Sequence, residues 1–311
     1  MQNEGVRRKR SFLSILNEYK LTYILLSGAV IYTAVFAYAP MFGLIMAFQD
    51  FNIFRGFFGS EFVGFDNFVK IFTDRMFIRS IWNTLYFSSV TLFLGFPLPI
   101  ILALMFNELR GRKFKRITQT ISYMPHFLSW ISVIALTYAL FEMSGMFNDF
   151  RVFIMGEGTE RINILMDPKY FLGVLFGTHV WKNVGWNSII FLAAITTVDP
   201  VLYEAAKIDG CGKMKQIWHI TLPGILPTIM IIFILASGSL VNSNFEQVFG
   251  LQNLFTQRDT EVVNTIVYRL GIQQARYSIA TAFGLAQGLV AFIIVFVTNF
   301  ISKKLSSIGI W

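Results

Sequence analysis

Glu204-Ala205-Ala206-Lys207-Ile208-Asp209-Gly210, followed after nine residues by Ile220-Thr221-Leu222-Pro223, forms a polar, punctuated break between two long apolar runs. Local chemistry predicts a helix from Pro200 to Asp209. Asp199 can cap its free amides, Pro200 suits the first helical position, and Gly210 suits a left-handed stop. Val201, Ala205 and Ile208 fall on one face of that helix. A second short helix is expected at Lys213–His219, presenting Met214, Ile217 and Trp218, before Pro223 resets the chain. Ala205 and Ala206 are small enough to let another protein approach closely, and Glu204 places a charge at the rim. On the residues alone, a helix resting on lipid headgroups is an equal reading.

Outward from this break the chain is strongly apolar. Hydrophobic residues make up 55% of the 311 and charged ones 14%, against about 25% charged in soluble domains. Six runs, at 21–48, 81–106, 121–141, 171–196, 225–243 and 280–301, are each long enough to cross a bilayer. Pro40 and Pro125 are expected to kink or break two of them. The segments 1–20, 107–120, 197–224 and 302–311 hold 15 Lys or Arg and 6 acids, whereas 49–80, 142–170 and 244–279 hold 10 and 12. Basic residues collect on the cytoplasmic side, so both termini are expected inside. Arg7-Arg8-Lys9-Arg10 and the run from Arg110 to Arg116 then read as topology signals and lipid contacts, and nucleic acid is not an expected partner. Ala37-Tyr38-Ala39 resembles a signal-peptide cleavage site, but the apolar run continues to Phe48, which favours an uncleaved first span. In 49–80, Phe65, Phe68 and Phe72 recur at helical spacing and suggest a short interfacial helix. Cys211 is a single cysteine, and His126, His179 and His219 are too scattered for a metal site.

Charge within a span is costly and usually faces a cavity or a partner. Lys182 lies near mid-span in the fourth run. His179, Lys182, Asn183, Trp186 and Asn187 share one helical face there, with Trp181 adjoining. Such a stripe suits a water-filled path, since indole rings pack on sugar faces and amides meet hydroxyls. The fifth run adds Ser239, Asn242, Ser243 and Glu246, with Asn244 off that face. The candidate path residues are therefore Trp181, Lys182, Asn183, Trp186, Asn187, Asn242 and Glu246. Interhelical hydrogen bonding is the competing explanation, and Lys182 could also snorkel outward. Gly284 and Gly288, on a side of the sixth run shared with Thr281, Gln287 and Ala291, are expected to allow close helix packing.

The pattern Glu-Ala-Ala, three residues, Gly, nine residues, Ile-x-Leu-Pro resembles the signature of permease subunits of binding-protein-dependent ABC importers. It is matched at Glu204, Ala205, Ala206, Gly210, Ile220, Leu222 and Pro223. Tyr38-Ala39-Pro40-Met41, Tyr123 to Trp130, Trp181 to Trp186 and the closing Ile310-Trp311 are similar to the carbohydrate branch of that family, nearest to permeases for oligosaccharides or polysaccharide fragments. The resemblance implies an all-α membrane protein with six transmembrane helices in the ABC importer permease (MetI-like) fold. A basic N-terminus, 1–20, would precede a permease domain, 21–311, that carries the coupling loop, 197–224. It further implies that the first loop helix docks on a cytoplasmic ATPase, with Ala205, Ala206 and Gly210 as close contacts and Glu204 and Asp209 as polar ones. The implied partners are a second, homologous permease, two ATPase subunits and an extracellular sugar-binding lipoprotein, all at a bacterial cytoplasmic membrane. No phosphate-binding loop accompanies Gly212-Lys213, so no cofactor is expected here. ATP and Mg would belong to the ATPase partners.

Two other classes compete. An ion-coupled secondary transporter commonly carries paired repeats and buried acids, and the spans contain no mid-membrane Asp or Glu. A membrane enzyme would need a catalytic constellation such as His-Glu-x-x-His or Gly-x-Ser-x-Gly, and neither occurs.

Overall fold

The computed structural model describes residues 18–306 and Gly309. The basic run Arg7–Arg10 and the Ile310-Trp311 tail lie outside the described residues. The chain is helical almost throughout. Among the described residues, five stretches are long and apolar enough to cross a membrane: α1 (Lys20–Phe48), α3 (Arg75–Glu108), Trp130–Met155, α9 (Lys213–Val241) and a stretch within α12 (Tyr277–Ser306). A sixth arises when α7 (Pro168–Thr196) is taken with α8 (Pro200–Ile208), which bends away from it by 71°. The polar stripe of α7 lowers its mean hydropathy, which explains why it stands apart from the others.

The third apolar run departs from a simple span at 121–141. It consists of α4 (Arg112–Tyr123), a tight turn at Met124–Phe127, and α5 (Trp130–Phe141), which turns at Gly145 into α6 (Met146–Met155). Pro125 lies within the tight turn, while the break itself falls just after it. Leu128 and Ser129 are extended there (ψ 141° and 154°), and Ser129 Oγ caps α5 by accepting from the Ser132 amide at 3.2 Å. At Pro40 the helix changes type, from α through a π turn to a 3-10 helix over Ala39–Phe48, without ending the span, and Pro223 does not break its helix. A π turn at Ala34–Tyr38 precedes Pro40, and one at Ile217–Thr221 absorbs Pro223, the Leu222 amide reaching back to the Ile217 carbonyl. The expected separate helix at Lys213–His219 is therefore the base of α9.

Opposite the α8 end, the bundle is closed by irregular but well-packed segments. Gln49–Asp50 (β1) pairs antiparallel with Glu61–Phe62 (β2), and α2 (Asp66–Thr73) carries the expected phenylalanine face. Phe48 packs against Phe62, Phe65 and Phe68. Buried Asn67 donates to the Ala47 and Gln49 carbonyls, fixing α2 on the end of α1. The 244–276 segment, including α10 (Phe245–Leu251) and α11 (Val263–Tyr268), inserts between spans rather than looping free. Val248, Leu251 and Val262 join Phe87, Phe171 and Leu175 in one core, and Val263, Ile266 and Leu270 join Ile71, Phe77 and Phe283 in another. A third core, Ala103, Phe191, Ile195, Val198 and Ile225, knits α3, α7 and α9 together beside α8.

Candidate functional site

The α8 elbow is built from the local signals that its sequence carries. Asp199 Oδ1 accepts from the Val201 amide at 2.9 Å, and Pro200 occupies the first turn. Gly210 ends the helix at φ +73°, with the Cys211 amide returning to the Ala206 carbonyl at 2.8 Å. Such a left-handed residue costs a β-carbon-bearing side chain about 1 kcal/mol or more. Tyr203 anchors the helix inward through its hydroxyl, 2.9 Å from Thr221 Oγ1. Everything else on α8 faces out. Glu204, Ala205, Asp209 and Gly210 are exposed and Ala206 is half-buried, while Ile208 is 88% exposed. Val201 and Leu202 are also exposed. An exposed apolar helix face rimmed by Glu204 and Asp209 thus projects from the end of the bundle.

A chain of joined cavities runs along α3, α7 and α9. The first, about 660 Å3, is lined by Thr91, Phe96, His179, Trp186, Asn187 and Ser239 among others. It shares Thr91, His179 and Ser239 with a second of about 270 Å3, which adds Ser88, Asn242, Ser243, Asn244 and Gln247. Asn242 in turn borders a third, about 740 Å3, with Asn264, Tyr268, Tyr277, Thr281 and Gln287. No Asp, Glu, Lys or Arg lines any of the three. Amides, hydroxyls and rings present hydrogen-bonding groups that are largely fixed by their neighbours. Gln287 Nε2 donates to the Asn264 side-chain oxygen and the Val241 carbonyl, and Asn264 Nδ2 donates to Asn242 Oδ1 at 2.7 Å. Gln247, fully buried, donates to the Leu175 carbonyl and Thr178 Oγ1. Ser243 Oγ is buried beside the second cavity and has no hydrogen-bond partner among the described residues, an unpaired hydroxyl that a buried water could satisfy.

The expected path residues divide. Trp186, Asn187 and Asn242 line these cavities. Trp181 instead lines a separate apolar cavity with Leu136, Tyr170, Gly173 and Gly177. Glu246 sits exposed in the first turn of α10, away from all of them. Lys182 does not snorkel. It is 7% exposed, and its Nζ donates to the His126 and Leu128 carbonyls at 2.6 and 2.5 Å. Asn183 is turned the same way, its side-chain oxygen 3.3 Å from His126 Nδ1. Gly284 and Gly288 have nothing within 4 Å of where a Cβ would stand and open onto the third cavity, rather than packing on a neighbouring helix. Close approach occurs instead at Gly185, where a Cβ would fall 1.9 Å from the Ser122 carbonyl oxygen. Sequence reasoning missed Gln247 and Asn264, which lie in helices too short to show a periodic face, and also Ser88, although Ser80, Thr84 and Ser88 follow at helical spacing along α3.

Long apolar spans around a hollow whose mainly apolar wall carries scattered amides and hydroxyls, with an exposed elbow at one end, describe a multi-pass membrane protein. The chain belongs to the family described as binding-protein-dependent transport system inner membrane component, which matches residues 95–307. It is 40% identical to the polygalacturonan/rhamnogalacturonan transport system permease protein YteP of Bacillus subtilis (strain 168), over 98% of this chain and 94% of that one. Protein LplB of the same organism is also 40% identical, over 97% and 94%. Among solved structures, a chain of a bacterial alginate ABC transporter, in complex with an alginate pentasaccharide-bound periplasmic protein, superposes with a TM-score of 0.89. It is 36% identical, and the match covers 97% of this chain and 100% of that one.

Proposed function

We propose that this chain is the membrane-spanning permease subunit of an ATP-driven importer that moves oligosaccharides or polysaccharide fragments into the cell. The observation that carries the reading is the run of adjacent cavities in which amides, hydroxyls and the Trp186 indole are set among apolar side chains, with no charged side chain among the described lining residues. Polyhydroxylated rings match such a lining, because each hydroxyl both donates and accepts and each ring face packs on an aromatic. The sugar-polymer transport systems to which the relatives belong support the same class. Trp186, Asn187 and Asn242 are the solute contacts in this reading.

The exposed α8 face is the seat of a cytoplasmic ATPase, with Glu204, Ala205, Ala206, Asp209 and Gly210 at the contact. That orientation puts α8 and both termini on the cytoplasmic side, in keeping with the basic loops. A second, homologous permease completes the hollow, two ATPase subunits handle ATP and Mg, and an external sugar-binding protein delivers the solute. This subunit then catalyses no reaction itself. The test is uptake of a labelled oligosaccharide by the assembled transporter in proteoliposomes. Uptake should require ATP and persist when the proton gradient is collapsed. Uptake that follows the proton gradient without ATP would place the chain among secondary transporters instead.

A further inference from the structure

The break between α4 and α5 leaves a specific debt in backbone hydrogen bonding. In an unbroken helix the His126 and Leu128 carbonyls would accept from the amides of Trp130 and Ser132. With Leu128 and Ser129 extended, the Ser132 amide goes to Ser129 Oγ, and the two carbonyls lack helical partners. Carbonyls left unpaired within a membrane-spanning bundle are costly in proportion to how little water reaches them. Lys182 reaches across from α7 and donates to both. The same ammonium lies 5.5 Å from the Trp130 ring centroid, a cation–π distance.

The turn held in this way carries His126. Its ring is parallel to the Trp186 indole, 4.7 Å between centroids and 2° between planes, with Phe127 edge-on to the same indole at 5.4 Å. Asn183 meets the same turn, its side-chain oxygen 3.3 Å from His126 Nδ1. Trp186 remains 40% exposed and lines the first cavity. Three residues of one α7 face, Lys182, Asn183 and Trp186, thus engage a single interrupted turn of another span.

We propose that Lys182 is a positioning residue: by satisfying the two orphan carbonyls it fixes the 124–129 turn, and so fixes the His126–Trp186 stack as a rigid platform in the cleft wall. The inference rests on the reading of that cleft as the solute path. It assigns Lys182 no contact with the solute, so an acidic sugar gains nothing from this lysine over a neutral one.

The test compares Lys182→Met and Lys182→Arg in the assembled transporter in lipid nanodiscs. Hydrogen exchange is read over residues 124–133, alongside uptake of a neutral and a uronate-bearing oligosaccharide of equal length. Loss of two charge-assisted hydrogen bonds should accelerate exchange there at least about tenfold in Lys182→Met. Uptake of both sugars should fall in the same proportion, and Lys182→Arg should recover most of each. Unchanged exchange with selective loss of the uronate-bearing sugar would overturn the proposal in favour of direct solute contact. Unchanged exchange and uptake would overturn it outright. Should Lys182→Met fail to assemble, Lys182→Gln shortens the side chain and removes the charge and should show intermediate exchange; wild-type exchange in that variant would equally refute the assignment. Asn187→Ala, run in parallel, separates the two readings, since normal uptake in that variant removes the solute path while leaving the exchange result standing.

Discussion

Gly185→Ala probes the tightest contact between α4 and α7. A Cβ at residue 185 would lie 1.9 Å from the Ser122 carbonyl oxygen and 2.5 Å from its carbon. Both obstacles are backbone, so no rotamer change relieves them. Bringing that carbon to the roughly 3.3 Å of close carbon–oxygen contacts requires the helices to part by about 1.4 Å. Overpacking of this kind costs about 1–3 kcal/mol, and the upper end is expected, because the turn at 124–129 is pinned to the same stretch of α7. Gly177→Ala supplies the control on the same helix. Nothing stands within 4 Å of its Cβ position, and alanine there should be neutral or stabilising by up to about 1 kcal/mol through helix propensity. Thermal melting of the purified transporter, followed by size-exclusion chromatography, should lower the midpoint for Gly185→Ala by several degrees and leave Gly177→Ala unmoved or raised. Indistinguishable melting of the two variants would refute the packing argument. Uptake should track the melt only for Gly185→Ala.

Other substitutions separate the elbow from the cleft. Gly210→Val forces a branched side chain into φ +73° and should uncouple ATP hydrolysis from uptake, with a local cost of about 1–2 kcal/mol; coupled transport at normal expression would count against the elbow's role. Tyr203→Phe removes the hydroxyl bonded to Thr221 and should cost about 1 kcal/mol of stability, seen as a modest fall in melting midpoint. Ser243→Ala removes a buried hydroxyl that has no partner, so stability should hold or rise slightly while the KM for the sugar increases; a clear loss of stability would mean that the hydroxyl is satisfied within the protein. Trp186→Ala should weaken sugar handling by about 0.5–1.5 kcal/mol, as expected for a lost ring-stacking surface, read as a higher KM for uptake.

The elbow was legible in the sequence because its determinants are local. Asp199, Pro200 and Gly210 each act within four residues of themselves, and the observed caps fall at those positions. The membrane runs were legible for a similar reason, as bulk apolarity needs no partner to be recognised. The cleft was half-legible. Helical spacing collected Trp186 and Asn187, which line a cavity, but also gathered Lys182, whose direction is decided by carbonyls 54 and 56 residues away. Pro125 signalled an interruption, yet the backbone opens at Leu128 and Ser129, where a distant ammonium stabilises the exposed carbonyls. Pro223 misled for the opposite reason. A π turn accommodates its missing donor, an option that the residue type does not reveal. Gln247 and Asn264 were obscured because each finds its partners across segments that no short window spans.

With that π turn α9 runs without interruption from Lys213 to Val241, through Pro227, 29 residues and thus about 43 Å long. Its foot stands beside α8, and its head carries Ser239, with Asn242 just beyond. A swing on the order of 10° about the foot would carry the head about 7 Å, more than one full helical turn of rise. Small displacements at the elbow are thereby magnified by geometry alone, with no unfolding or rewinding of helix required.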